Sequence, residues 1–100
     1  MYFISAVDIY NEAQSQEYIE YSSKCVGYYF SLDDAVQAVK ENGDDIHRTI
    51  YNYAVIEEID EGIHLASKKE IWFKWDEETK RYESADKPQK IKNTGNLSMG

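Results

Sequence analysis

The stretch Lys24–Asn42, KCVGYYFSLDDAVQAVKEN, decides the fold. Its first half alternates: Val26, Tyr28 and Phe30 share one face and Gly27 lies opposite. That is the period of a strand, with Gly27 marking a bulge or a close backbone approach. At Ser31 the period changes. Ser31 is an N-cap residue, and Asp34 follows three positions later at the positive end of a helix. Leu32, Ala35, Val36 and Val39 then recur at i, i+3, i+4 and i+7, one face of an α-helix. Asn42-Gly43 supplies the stop. The spacing predicts a strand running directly into a short amphipathic helix over 31–42, which must lay its apolar stripe on a sheet.

The flanking sequence supplies that sheet. Residues 2–10, YFISAVDIY, are apolar in both alternating sets, which places this strand inside the sheet. Asn11 to Gln16 is polar and reads as a connection. Glu17 to Ser23, with Tyr18, Ile19 and Tyr21 between polar groups, reads as a separate, weaker strand near an edge. After the helix, Asp44 or Asp45 caps a shorter turn through Ile50, with Ile46 and Ile50 facing inward. Tyr51 to Ile59 is a strong strand rich in Tyr, Val and Ile. Asp60-Glu61-Gly62 is a turn, and Ile63 to Leu65 a short strand. Glu70–Trp75 and Lys80–Ser84 form a hairpin about the turn Asp76–Thr79. Ile71, Phe73 and Trp75 line one of its faces, Trp72 and Lys74 the other.

These elements predict an α+β fold: a single domain over 1–86, with a mainly antiparallel sheet of about four to six strands. One amphipathic helix (31–42) covers one face, and an aromatic β-hairpin (70–84) closes the C-terminal side. Residues 87–100 are polar and basic without a buried stripe, which predicts an extended or mobile tail. One helix cannot cover both faces of a sheet. The second face therefore calls for the tail, a ligand or another subunit, and a homo-oligomer is one expectation.

Three internal runs and the C-terminal one carry a resemblance. They are Gly27–Val39, Tyr51–Gly62, Glu70–Asp76 and Asn96-Leu97-Ser98-Met99-Gly100. Together they resemble a set of small proteins from Firmicutes and their phages, over nearly the whole chain. The resemblance implies a genetic context, a mobile element or a gut bacterium, and a size common among phage accessory proteins. It implies no activity and no site residues.

Charge narrows the function. The chain of 100 residues carries a net charge of −8. Nucleic acid and anionic membranes attract cationic surfaces, so direct binding to either is disfavoured and a basic protein partner is favoured. Residues 1–66 contain thirteen acids and three bases, residues 67–100 six acids and eight bases. The acidity thus belongs to the first two thirds, and the aromatic hairpin and tail are slightly basic. Cys25 is the single cysteine, so no intramolecular disulfide and no CxxC site can form. No basic n-region precedes an apolar run near the N-terminus, and no run approaches the ~20 residues of a membrane span. The expected location is the cytoplasm of a bacterium or a phage-infected host.

The candidate sites divide by chemistry. Glu57, Glu58, Asp60 and Glu61 form an acidic run without the alternating, glycine-supported spacing of a calcium loop. They read as a solvated strand end, or as a surface that imitates a phosphate array for a nucleic-acid-handling partner. Cys25, His47 and His64 are too few and too dispersed for zinc, and no metal or cofactor is expected. Cys25 reads as a small core residue, His47 as a helix-surface residue and His64 as a polar member of a short strand. No nucleophile elbow, phosphate loop or zinc-helix motif occurs, so an enzyme is the least favoured reading. The hairpin offers the anchors: Trp72 exposed on an uncovered face, with Tyr82, Lys74 and Arg81 around it, the composition of a binding hot spot. The favoured function is a non-catalytic protein-binding module that modulates a host nucleic-acid-handling or defence protein. The alternative is an oligomeric module that sequesters a nucleotide-like ligand, with Arg48, Lys74 or Arg81 meeting its charge.

Overall fold

The computed structural model describes residues 1–9, 21–60 and 67–88. Five strands form one antiparallel sheet: β1 (Tyr2–Ile9), β2 (Tyr21–Tyr29), β3 (Tyr53–Ile59), β4 (Ser67–Asp76) and β5 (Arg81–Ala85). Their spatial order is β2-β1-β3-β4-β5. The single α-helix, α1 (Leu32–Lys40), lies between β2 and β3 in sequence. Both of those strands run antiparallel to β1, so they are parallel to each other with β1 between them. Strands that run the same way need a crossover connection, here a helix that passes over β1 on the face of the sheet. This explains why α1 follows β2 almost without a loop and why its stripe must be apolar.

The helix is built as the sequence predicts. The Ser31 side chain accepts a hydrogen bond from the Asp34 amide, and Asp33 and Asp34 stand in the first turn, where the helix dipole favours negative charge. Ala35 and Val39 are fully buried, and Leu32, Val36 and Ala38 pack around them. At the other end Asn42, rather than Gly43, takes the left-handed conformation, at φ 52°. Its side-chain oxygen accepts from the His47 amide at 2.9 Å. Asparagine tolerates this region because its short polar side chain bonds locally.

Two buried layers sandwich the sheet. On the helix face Ile4, Ala6, Ala54, Ile56, Phe73 and Tyr82 meet Ala35, Val39 and Ile46. On the opposite face Val7, Ile9, Tyr53, Val55 and Trp72 form a second cluster, with Tyr21 packed against it. β1 and β3 feed both layers, which is the reason both of their alternating sets are apolar.

Several expectations are corrected. The two strands read over 17–23 and 24–30 are one, β2, and it is an edge strand; Glu17 to Glu20 lie outside the described residues. The predicted bulge is real: Ile4 pairs with Gly27 and Ser5 with Cys25, leaving Val26 as the extra residue. Ile50 does not face inward but is 56% exposed. The hairpin turn runs over Glu77–Lys80, one residue later than predicted, with Lys80 at φ 57° and its amide bonded to the Asp76 carbonyl. On the second face, which called for the tail, a ligand or another subunit as cover, Val7, Ile9, Tyr53, Val55 and Trp72 are buried within the chain itself. The connection at 11–16, the short strand at 63–65 and the tail from 89 onward lie outside the described residues.

One side chain extends the sheet in a way no pattern announces. Asn52, just before β3, accepts from the Ile9 amide through Oδ1 and donates to the Ile9 carbonyl through Nδ2, both at 2.9 Å. Its carbonyl also accepts from the Trp75 amide at 2.9 Å. The carboxamide thus stands in for a peptide group, closing the β1–β3 ladder where β1 ends. Asn52→Ala leaves both polar groups of the buried Ile9 unpaired, and a loss of about 2 kcal/mol is expected from chemical denaturation.

Tyr82 supplies a second prediction. Its hydroxyl donates to the Tyr51 carbonyl at 2.7 Å, and burial, aided by the charge of Asp45, pushes its ionisation well above the ordinary tyrosine value. A raised folded value means that stability is fully present below the unfolded value of about 10 and declines as pH rises past it. Denaturation midpoints should fall in that alkaline window. Tyr82→Phe should flatten part of the fall while costing about 1 kcal/mol at neutral pH.

Candidate functional site

The residues singled out from the sequence do not form one surface. Trp72 points away from the helix as predicted, but it is only 3% exposed. Its indole meets Tyr53 edge-on at 6.2 Å between centroids and donates to Glu70 Oε1 at 3.2 Å. Tyr82 is buried on the opposite face. The expected hot spot is therefore divided by the sheet: strand alternation sends Trp72 and Tyr82 into different cores. Lys74 is exposed with its ammonium 5.6 Å from the Tyr53 ring centroid. Arg81 is exposed beside the hairpin turn, where its register partner is Asp76. Lys74 thus already lies close to an aromatic ring of its own fold.

The acidic run is also split. Glu57 is 1% exposed, so it is no part of a solvated strand end. Glu58 faces the helix side and accepts from the Tyr2 hydroxyl at 3.4 Å, and its charge raises the ionisation of that phenol. Asp60 is exposed, and Glu61 lies outside the described residues. Among the described residues no three histidine, cysteine or acidic side chains converge as a metal site.

His47 is not a surface helix residue. Its ring stacks on Trp75 at 3.7 Å between centroids and 7° between planes, and meets Tyr82 edge-on at 6.1 Å. Its Nδ1 lies 2.9 Å from the Tyr51 carbonyl. A carbonyl can only accept, so Nδ1 carries the proton. Tyr51 thus receives two bonds, from His47 and Tyr82, and the segment between α1 and β3 is pinned to the end of the sheet. That segment is strained. Asn42, Asp44, Asp45, Arg48 and Thr49 all have positive φ. For Arg48 and the β-branched Thr49 this is an unfavourable conformation, held by the anchors on either side.

What the molecule does expose is the edge strand β2. Ser22 to Val26, Tyr28 and Tyr29 are all exposed, and so is Phe30 just beyond. Tyr28 is 55% and Phe30 78% exposed, and their rings touch edge-on at 5.9 Å. Tyr28 also leans on Phe3 at 5.7 Å. These are large aromatic groups at the end of a strand whose outer edge has no neighbouring strand among the described residues. The sequence pattern places Val26, Tyr28 and Phe30 on one face of a strand, and an alternating Val-x-Tyr-x-Phe run looks the same in an interior strand and an edge strand. The bulge is the local signal that separates the two.

Beside the bulge, between β2 and the strained segment, lies a cleft of about 190 Å³. Buried Ile4 and Ile46 and the backbone of Gly27 form its base. Val26 and Ala38 line it, and exposed Asp44 and Arg48 stand at its mouth. A second, larger cleft lies between Glu70, Trp72, Ala85 and Lys87. Its cation is engaged: Lys87 Nζ is 3.3 Å from Glu70 Oε1 and 3.4 Å from Oε2.

No family model, no curated protein and no solved structure matches this chain. The site is therefore argued from its geometry. No helix among the described residues is long and apolar enough to cross a membrane.

Cys25, expected in the core, is exposed on β2 with its sulfur 3.9 Å from the Gly27 carbonyl. The correction is directly measurable. In the native protein Cys25 should react with a chromogenic disulfide reagent to about one equivalent, at a rate near that of the unfolded chain. Slow reaction that denaturant accelerates would return it to the core.

Proposed function

We propose that this chain is a non-catalytic protein-binding domain whose recognition surface is the exposed β2 edge with its aromatic end, Tyr28, Tyr29 and Phe30. The observation that carries this reading is the exposure of these rings at the end of a strand whose outer backbone edge has no neighbouring strand among the described residues. Aromatic side chains that a fold leaves in water, beside a free edge, are the anchors protein interfaces use. Around them stand Asp33, Asp34, Glu41, Asp44 and Asp45, all exposed and outnumbering Lys24, Lys40 and Arg48. Against a net charge of −8, the matching partner is basic, and charge of this kind speeds encounter and sets salt sensitivity more than it adds affinity. A nucleic-acid-handling host protein fits that description, and an accessory gene of a phage or mobile element is the setting in which such a binder would act.

The nucleotide-sequestering alternative has less support. Drug-sized ligands occupy pockets of about 300–1,000 Å³. The cleft beside β2 is smaller than that, and the larger one has its lysine held by Glu70.

The test compares the wild-type chain with Phe30→Glu and Tyr28→Ala in affinity purification from the native host at low and high salt. Captured partners are then reconstituted from pure components. Both side chains are exposed, so unfolding midpoints should stay within about 0.5 kcal/mol of wild type. A basic partner should be retained by wild type at low salt, released at high salt, and bound at least about tenfold more weakly by either variant. An unchanged affinity in both variants, or self-association as the only interaction, would overturn the proposal.

A further inference from the structure

We infer that the cleft beside the β2 bulge is the specificity pocket of this surface, and that it receives one bulky apolar side chain from an extended, basic segment of the partner. This rests on the reading of the β2 edge as the recognition surface, and it adds what the surface selects.

Size comes first. The cleft measures about 190 Å³, which suits one large aliphatic or aromatic side chain and falls below the roughly 300 Å³ where small-molecule pockets begin. Ile4 and Ile46 lie buried beneath it and Val26 and Ala38 line it, so an apolar side chain that enters finds apolar contacts.

Gly27 keeps the cleft open. It pairs with Ile4, whose side chain is in the helix-side core, so a side chain at position 27 would project onto the helix face. A Cβ built there meets no atom within 4 Å. A strand position with open space, adjacent to a packed helix, is a place where the fold would gain from a larger residue. Glycine in a strand costs about 0.5–1 kcal/mol relative to alanine, and its φ here is not one that requires glycine. The vacancy is explained if something else fills it.

The wall opposite β2 is fixed. Asp44, Ile46 and Arg48 belong to the segment with five positive-φ residues, pinned by the His47–Trp75 stack. Strain of this kind persists where the surrounding structure over-determines it, and binding sites are where it collects. The wall is thus preorganised, which lowers the ordering cost of binding.

Charge selects the occupant. Asp44 at the mouth has no ion pair among the described residues, and the nearby Asp45 and Glu41 add to its field. A lysine or arginine flanking the anchor meets Asp44, which lines the cleft with exposed Arg48. A second copy of this chain is disfavoured as occupant, because it brings another −8 to the same surface. The bulge at Val26 and Lys24 beside it also blunt simple strand addition along the edge. Side chains, not a continuous backbone ladder, must then carry recognition.

The probe is a panel of synthetic decapeptides with lysine and arginine flanks and a central Leu, Phe, Trp or Ala, titrated into the isotopically labelled full chain. Peptides with a large central residue should shift the amides of Gly27, Ala38, Gly43 and Ile46, and central Ala should bind about ten- to a hundredfold more weakly. Gly27→Val should raise the thermal midpoint and weaken binding by a similar factor; opposite signs in the two readouts separate a filled pocket from a damaged fold. Glutamate-flanked peptides should not bind. If the peptides shift Tyr28 and Phe30 but leave the cleft amides still, the pocket inference fails and the β2 surface stands. If central Ala binds as well as Leu, or Gly27→Val keeps full affinity, the pocket inference fails. If no peptide binds and light scattering gives a dimer that Gly27→Val dissociates, the occupant is a second copy and the inference is overturned. If nothing in the panel perturbs β2 or the cleft, both readings fail.

Discussion

The stack of His47 on Trp75 is the interaction on which the functional face depends. It joins the segment after the helix to the hairpin at the far end of the sheet, and with Tyr82 it converges on one backbone carbonyl, that of Tyr51. It adds to the local bonds that hold Arg48 and Thr49 at positive φ, a conformation each disfavours: the Arg48 amide to Asp45 and the Ile50 and Tyr51 amides to the His47 carbonyl. Aromatic pairs contribute about 0.5–1.5 kcal/mol beyond the area they bury, and a hydrogen bond about 1. Two such bonds and two ring contacts are of the same order as the strain of two unfavourable residues. The hairpin thus fixes the wall of the cleft beside β2 from the far end of the sheet.

The topology explains why a site exists on this side at all. β1 and β3 are buried on both faces and lie at or near the middle of the sheet. β2 is laid outside β1, and its chain must leave at once into α1 to cross back over the sheet. The tight join leaves Phe30 with no layer to enter, while Gly27, Tyr28 and Tyr29, beyond the bulge at Val26, stay paired with Ile4, Phe3 and Tyr2. Exposure of the aromatics is then a product of strand order, and the cleft is the gap between the bulged strand and the returning chain.

That strand order is also what limits the sequence as a guide. Local patterns were sufficient for α1, whose cap, stripe and stop are all present within Ser31–Asn42, and for β1, whose doubled apolar pattern places it in the interior. They also placed Trp72 and Phe73 on opposite faces. They did not distinguish interior from edge. The shared face of Val26, Tyr28 and Phe30 did not reveal that all three are exposed; Trp72, a surface candidate if its face stayed uncovered, is buried; Cys25, read as core, is exposed, and His47, read as surface, is stacked on Trp75. Exposure in a sheet depends on which strand lies alongside, and that is a long-range fact. Asn52 shows the same limit in a side chain: nothing in an Asn before a strand indicates that its carboxamide will pair with Ile9, forty-three residues away.

The bulge at Val26 has a consequence for how such a domain changes over generations. Because Tyr28, Tyr29 and Phe30 are exposed, substitutions there carry a small stability penalty. Residues of β1 and β3, packed on both sides, have no such latitude. The fold therefore separates an interior fixed by packing from a rim whose side chains can change without rebuilding the sheet.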